Sequence, residues 1–412
     1  MDLFPFNFPM TFLKTAGIWQ DRNVTLIYKL YGLVMHLFFL DQSIVLLTIL
    51  LGHLVIDQDM IEFTEVFSKS LSIYLTTIKS FIFIINIEKI KSLMQKLSKL
   101  LKFSNYGNKE RPLIIHYETK ISKLTRYNYN FHFVICTLSV IMAILSSDRR
   151  LPFKTWAYVD YKNSDGAYMF MNCGVYLISL YTTGINSMLD FYPLIFMCYI
   201  IGMLEELGSY LKVVKFQEHV RNNHKYSNFS KKIEEFSIFD KILSNPKKYE
   251  ESKINKGTVD LRTCISYHIK IKDFCNDVSG NYALHFMVQG FFSSLILCST
   301  IFHLTKITFA EDSGLFLTTL MYAIIMILQI LLPCHFGNII FYKSHEISMN
   351  LFHSDWIYGD RTYTKNVKLI MEIMKTPMRI KVYGFFSVDY EIFKSVCNFA
   401  YSMYAVLNKK QN

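Results

Sequence analysis

LFLTTLMYAIIMILQILLPCHFGNIIFY, residues 315–342, runs without a single Asp, Glu, Lys or Arg. A helix needs roughly 20 mainly apolar residues to cross about 30 Å of hydrocarbon, so an uncharged run of this length reads as a membrane span. Six further windows of the same kind lie outward from it: Leu30 to Ile56, Phe63 to Ile87, Phe131 to Ser147, Ala167 to Gly208, Tyr282 to Leu304 and Phe386 to Leu407. The 412 residues are 51% hydrophobic, 16% aromatic and only 19% charged, far too apolar for an ordinary soluble protein. The expected fold class is all-α, a polytopic membrane protein with seven transmembrane helices. MDLFPFNFPM has no basic start and no separate apolar block with a cleavage site, so the first span is expected to set insertion.

Alternate loops differ sharply in Lys and Arg. Ile87 to Tyr127 carries ten, Ser209 to Lys270 thirteen and Lys343 to Phe385 seven, against none, four and one in Asp57 to Glu62, Asp148 to Gly166 and Thr305 to Gly314. Positive charge is retained in the cytoplasm, which puts the N-terminus cytoplasmic and the C-terminus extracellular, the reverse of a G-protein-coupled receptor. The net charge of +11 therefore sits on one side of the membrane, where anionic lipid headgroups account for it and no nucleic-acid partner is expected. Both glycosylation sequons, at Asn23 and Asn228, fall on that same inner side and are expected to be unused.

No internal repeat or low-complexity tract divides the chain, so residues 1–412 are expected to form a single membrane domain. The patterns beginning at Ala167 and Leu315 overrun the bilayer, and KKIEEFSIFDKIL (Lys231 to Leu243) is amphipathic. A cytoplasmic anchor of packed helix ends is expected at about 206–270 and 343–385, with a last helix at 386–408. Pro193 and Pro333 lie inside spans four and six, where each frees a backbone carbonyl.

Enzyme chemistry lacks its parts. His345-Glu346 opens like a zinc-protease motif, but Met349 stands where the second ligand belongs, and neither GxxxxGK[ST] nor GxSxG occurs. Eight cysteines never form CxxC, so neither a disulfide framework nor a zinc site is indicated, and no cofactor is expected. His36, His53, His285, His303 and His335 fit either proton-relay groups or packed and interfacial histidines, and no matched carboxylate ladder accompanies them. Asp41, Lys79 and Asp190 are charges inside spans; they fit either structural pairing or the ion coupling of a secondary transporter, although no inverted repeat accompanies them.

In the last span, Glu391, Ser395, Asn398, Ser402 and Lys409 share one narrow helical face. Such a stripe serves either as interhelical hydrogen-bonding groups or as the wall of a pore.

Two stretches carry a family resemblance. QILLPCHFGNIIFYKSHEISMNLFHSDW (Gln329 to Trp356) sets Cys334 three residues before Gly337, with Ser344 and a closing Trp356 beyond. FFSVDYEIFKSVCNFAYSMYAVLNKK (Phe385 to Lys410) has the form F-x-V-[DS]-[LY]-E-x-F followed by Y-x-x-x-x-V-L, at Phe386, Val388, Asp389, Glu391, Phe393, Tyr401, Val406 and Leu407. With these the chain resembles the insect odorant receptors. Weaker likeness extends to Lys79, Asp190 and YHIKIKDFCNDVSGNYALHF (Tyr267 to Phe286). The TYxxxxxQF ending of the gustatory receptors is absent, and the family's co-receptor differs in its longer chain and large insertion before span five.

The resemblance implies a ligand-tuning subunit of a tetrameric, ligand-gated, nonselective cation channel. Such a subunit assembles with the co-receptor in a heteromeric tetramer and sits as a multi-pass protein in the plasma membrane of olfactory sensory neuron dendrites. It implies that the last helix lines the pore, with Val406 at a hydrophobic gate and Ser395, Asn398 and Ser402 below it; Lys409 and Lys410, which would ring the mouth, depart from the pattern expected of a cation path. It also implies an odorant pocket in the outer half of spans two, three, four and six. On this chain the candidates are Ser70, Tyr74, Thr137, Ile141, Met142, Leu145, Tyr168, Met171, Tyr176, Leu180, Thr318, Tyr322 and Ile325, with Tyr181 beside them. These offer apolar and aromatic area with a few hydroxyls, suited to a small neutral volatile, though each also serves as core packing.

Overall fold

The computed structural model describes residues 4–19, 25–35, 37, 60–103, 111–145, 151, 164–213, 261–307, 309, 312–359 and 361–411. The first expected span beyond Met35, with His36, Asp41 and His53, lies outside the described residues, as do the 214–260 segment and both sequon asparagines.

Ten helices follow one another among the described residues: α1 (Phe4–Thr15), α2 (Leu26–Met35), α3 (Met60–Ile85), α4 (Ile87–Phe103), α5 (Pro112–Leu145), α6 (Asp165–Val213), α7 (Leu261–Lys306), α8 (Ser313–Phe352), α9 (Arg361–Met374) and α10 (Tyr390–Gln411). Five of them, α3, α5, α6, α7 and α8, are long and apolar enough to cross a membrane. The 22 residues of α10 reach about 33 Å at 1.5 Å per residue, also enough to span. Helix α6 is the axis of the bundle, packed by α1, α3, α5, α7 and α8. Its most apolar window is 94% buried, against 17% for α5 and 28% for α8. In a bilayer the exposed apolar faces of α5 and α8 meet lipid tails rather than water.

Three helices far exceed a bilayer: α6 has 49 residues, α7 has 46 and α8 has 40. The expected continuous helices from Ala167 to about Val214 and from Leu315 to about Phe352 are met in α6 and α8, and α7 begins 21 residues ahead of the apolar stretch at Tyr282, its first five turns being amphipathic. A buried ion pair ties these ends together: the Arg111 guanidinium, at the foot of α5, is hydrogen-bonded to both carboxylate oxygens of Glu206 on α6, and donates to the Leu101 carbonyl at 2.7 Å. Helix α4 lies against α7 with Leu93 and Leu97 buried, and Lys96 reaches Asp277 at 2.6 Å.

The N-terminal α1 was not anticipated as an element. Its FPFNFP start puts Phe6 in full burial among Tyr192, Phe196 and Tyr199 of α6, with ring centroids 5.5, 4.9 and 6.2 Å away. Phe12 occupies the space over Gly184, where an added Cβ would come within 2.5 Å of its ring.

The last helix also starts later than expected. Residues 386–387 pair with 381–382 in a two-stranded antiparallel ribbon, turned at Tyr383 and Gly384, and α10 begins at Tyr390. Asp389 supplies the cap, its Oδ1 accepting from the Glu391 and Ile392 amides at 3.1 and 3.4 Å. The ribbon is held from three sides. Ser279 of α7 donates to the Lys381 carbonyl and accepts from its amide, Ser344 of α8 accepts from the Met378 amide at 2.8 Å, and the Val388 carbonyl lies over Gly337. A Cβ at Gly337 would stand 1.9 Å from that oxygen. Cys334 is buried one turn earlier, and Trp356 closes the far end of α8 with Nε1 donating to the Phe352 carbonyl at 3.0 Å.

Gly337→Ala is therefore expected to destabilise the folded chain by about 2 kcal/mol or more, because backbone and not a flexible side chain must yield. Gly290→Ala, with nothing within 4 Å of its Cβ, is the matched control and should be neutral or stabilising. Thermal unfolding in detergent, read by surface yield and melting temperature, checks the pair.

Candidate ligand cavity and the last helix

A cavity of ≈ 370 Å³ lies between α3, α5, α6 and α8, closed on one side by α7. Each wall helix contributes one stripe at helical spacing. On α8 these are Thr318, Tyr322, Ile325, Met326 and Gln329; on α5, His132, Ile135, Cys136, Ser139 and Val140. Helix α3 gives Glu65, Ser68, Ser72, Ile73 and Thr76, α6 runs from Phe170 and Met171 to Asn186, and α7 adds Thr300 and His303.

The cavity is chemically graded along its length. At the end where α3, α6 and α8 begin stands an ion pair, Lys69 with Glu65 at 2.5 Å, whose opposite charges offset each other. The middle is apolar, with Ile73, Val140, Val175, Ile325 and Met326. Tyr322 crosses this region with its hydroxyl hydrogen-bonded to Ser72 and donating to the Ser68 carbonyl at 3.3 Å. At the opposite end the innermost wall residues of α3, α5, α6 and α8 are all polar: Thr76, His132, Asn186 and Gln329.

Beneath that polar floor lies a buried charge cluster. Lys79, with no solvent exposure, donates from Nζ to Asp190 Oδ1 at 2.6 Å and to Asn186 Oδ1 at 2.9 Å, and His285 Nε2 lies 3.3 Å from the same carboxylate oxygen. The pairing explains how Lys79 and Asp190 are tolerated in spans, since each offsets the charge that hydrocarbon would reject.

Of the residues proposed from sequence, Met171, Thr318, Tyr322 and Ile325 stand in the cavity wall. Thr137, Ile141 and Leu145 fall on the outer stripe of α5, where Ile141 is 47% and Leu145 74% exposed. Thr137 and Tyr176 instead bond each other at 3.0 Å, joining α5 to α6. Tyr168 donates to the Ala143 carbonyl at 2.7 Å, a staple between the same helices, and Met142 packs over Gly314. Ser70 bonds back to the Val66 carbonyl, Tyr181 to Ala16 beside α1, and Tyr74 and Leu180 are half-buried away from the wall. His132, Asn186 and Gln329 were missed as cavity residues. Gln329, a side-chain amide within the uncharged stretch quoted first, was a signal available in the sequence.

Helix α10 packs on α7 and α8 through Phe393, Val396, Ala400 and Tyr404. At 100° per residue, Ser395, Asn398, Ser402 and Lys409 lie on the opposite side, and all four are exposed in the single chain, as is Val406 at 64%. Ser395 and Ser402 donate back to the Glu391 and Asn398 carbonyls one turn earlier, so neither hydroxyl is committed to another helix.

Removing one member of the buried pair should cost far more than removing both. Lys79→Met strands the Asp190 carboxylate and is expected to lower stability by about 3–5 kcal/mol, whereas Lys79→Met with Asp190→Leu should recover much of that loss. Surface expression and melting temperature of the two singles and the double measure the coupling.

Comparison with known proteins places this architecture. The family model described as 7tm Odorant receptor matches residues 59–401. Odorant receptor 94a of Drosophila melanogaster is 30% identical over 155 residues, 37% of this chain and 39% of that one, so the match spans about two-fifths of the relative's length. Odorant receptor 2a of Drosophila melanogaster is 20% identical over 403 residues, 96% of this chain and 94% of that one. Among solved structures, the insect olfactory receptor OR5 from Machilis hrabei superposes with a TM-score of 0.69 at 14% identity, covering 98% of this chain and 97% of that one; it is also known in complex with eugenol. The shared fold is all-helical and seven-spanning, and the family is one of receptors rather than enzymes. This chain, a multi-pass membrane protein, belongs to the odorant receptor family.

Proposed function

We propose that the chain is the odorant-binding, tuning subunit of a ligand-gated, nonselective cation channel, assembled with the family's co-receptor as a heteromeric tetramer. Its place would be the plasma membrane of olfactory sensory neuron dendrites, with the N-terminus cytoplasmic. The observation that carries the reading is the cavity of ≈ 370 Å³ among α3, α5, α6 and α8, a size and an apolar lining that suit a small molecule. Glu65 and Lys69, opposite charges paired at 2.5 Å, bring no net charge to the wall. That favours neutral volatiles. The eugenol complex of the Machilis receptor supports small-molecule binding in this fold.

The channel part of the proposal rests on α10. A helix held on one side and bearing Ser395, Asn398 and Ser402 on the other has a polar face that a single chain leaves uncovered. Facing a central axis, that stripe would meet water and ions, with the apolar Val406 as the constriction that closes by dewetting. Lys409 adds one positive charge per copy, which a mixed assembly tolerates better than four identical chains around one mouth. Coupling would run through α8, which lines the cavity with its first half and carries the 381–387 ribbon and α10 on its second. A ligand then opens the channel only by the difference between its affinities for the closed and open arrangements.

Whole-cell current during a panel of neutral volatiles, in cells expressing this chain, the co-receptor, or both, tests the proposal. Current is expected only with both chains. Val406→Ala should raise basal current and Val406→Lys should suppress cation permeation. Substrate accumulation dependent on Lys79 and Asp190, without current, would establish the secondary transporter instead.

A further inference from the structure

The polar floor of the cavity contains two side chains with nothing to bond. His132 on α5 and Gln329 on α8 both line it, are 97% and 92% buried by their 3% and 8% exposures, and make no side-chain hydrogen bond among the described residues. Their neighbours are committed: Asn186 Oδ1 accepts from Lys79, and the Thr76 hydroxyl donates to the Ser72 carbonyl at 2.9 Å. Buried polar groups are almost always paired, by protein, water or ligand, so the unpartnered His132 Nε2 and Gln329 Oε1 at the same end of the cavity mark the place where a polar group from outside belongs.

We infer that the cavity is tuned to small molecules with a terminal hydroxyl, whose O–H sits between His132 and Gln329 while the carbon skeleton lies along Ile73, Val140, Val175, Ile325 and Met326. This rests on the reading of the cavity as the ligand site.

The chemistry selects the class. A carboxamide offers an acceptor oxygen and donor N–H groups, and a neutral imidazole offers one nitrogen of each kind. Of the common neutral volatiles, only a hydroxyl both donates and accepts, so it bonds to both side chains at once. Ketones, esters and ethers only accept, leaving the Gln329 oxygen unpaired, and a hydrocarbon satisfies neither. An ordered water at the floor serves the same two groups; an alcohol that displaces it reproduces its bonds, whereas a ketone does not. Direction follows too. The hydroxyl points to the floor, because the far end is occupied by the Glu65–Lys69 pair, and Thr318 to Gln329 spans about 16 Å at 1.5 Å per residue, which bounds the length of the chain.

The test uses the full chain in lipid nanodiscs and four probes of one skeleton: 1-octanol, 2-octanone, methyl octyl ether and octane, each titrated by ligand-induced thermal stabilisation. 1-Octanol is expected to bind about tenfold more tightly than the ketone or ether, the scale of one well-made neutral hydrogen bond. Gln329→Leu and His132→Phe should each pull that ratio toward one. Equal affinities for alcohol and ketone in the unmodified chain, a comparison that needs no variant to fold, would overturn the hydroxyl assignment while leaving the cavity as the ligand site. A ratio unchanged in both variants would overturn the roles of His132 and Gln329. Ile325→Trp, which fills the apolar middle, separates the two readings: binding that survives it places the ligand elsewhere and overturns the cavity reading together with this one.

Discussion

The Val388 carbonyl resting on Gly337 is the contact on which the arrangement of the second half of the chain depends. It brings the 381–387 ribbon against α8 at van der Waals distance, and from that ribbon α10 departs, capped by Asp389. Ser344 and Ser279 complete the seat from α8 and α7. The cavity wall at Thr318 to Gln329 and the seat at Gly337 to Ser344 belong to one continuous helix of 40 residues, joined across Pro333. In the proposed coupling, a displacement at the cavity would reach the seat through this helix and its proline.

This contact also explains in physical terms the short motifs through which the family can be recognised. Gly337 has no room for a Cβ, Ser344 accepts the Met378 amide just ahead of the ribbon, Val388 donates its amide to the Ile380 carbonyl at 2.8 Å, and Asp389 caps α10. Gly337 is the position where one residue type alone fits, and Ser344 and Asp389 each need a short side-chain acceptor, which is why the motif was legible as sequence. Spans were legible for a similar reason: an uncharged run of bilayer length admits few readings, and α3, α5, α6, α7 and α8 appear where hydropathy put them.

What the sequence hid is equally specific. A helix apolar on all sides does not announce which face meets lipid and which meets a cavity, so Thr137, Ile141 and Leu145 looked as suitable as His132, Ile135 and Val140 one stripe away. Only packing separates them. The α1 helix was hidden because its Phe and Pro residues, over 12 positions, are too few to span and gain their meaning from the aromatic surface of α6. Lys79 and Asp190 are far apart in sequence, and nothing but the fold brings them to 2.6 Å. The polar floor above them is likewise a product of four helices, each contributing one residue that alone is unremarked.

The cavity and α10 are thus joined by α8, and the central claim is that what occupies the one moves the other. Pulsed dipolar distances between spin labels at Tyr401, exposed on α10 at 69%, measured between subunits of the proposed channel assembly, test this most directly. Addition of an activating ligand is expected to widen the distance by on the order of 2 Å, the scale of helix shifts at subunit interfaces, and Ile325→Trp should abolish the change. A channel that opens to its ligand with the Tyr401 distance unchanged would contradict the account.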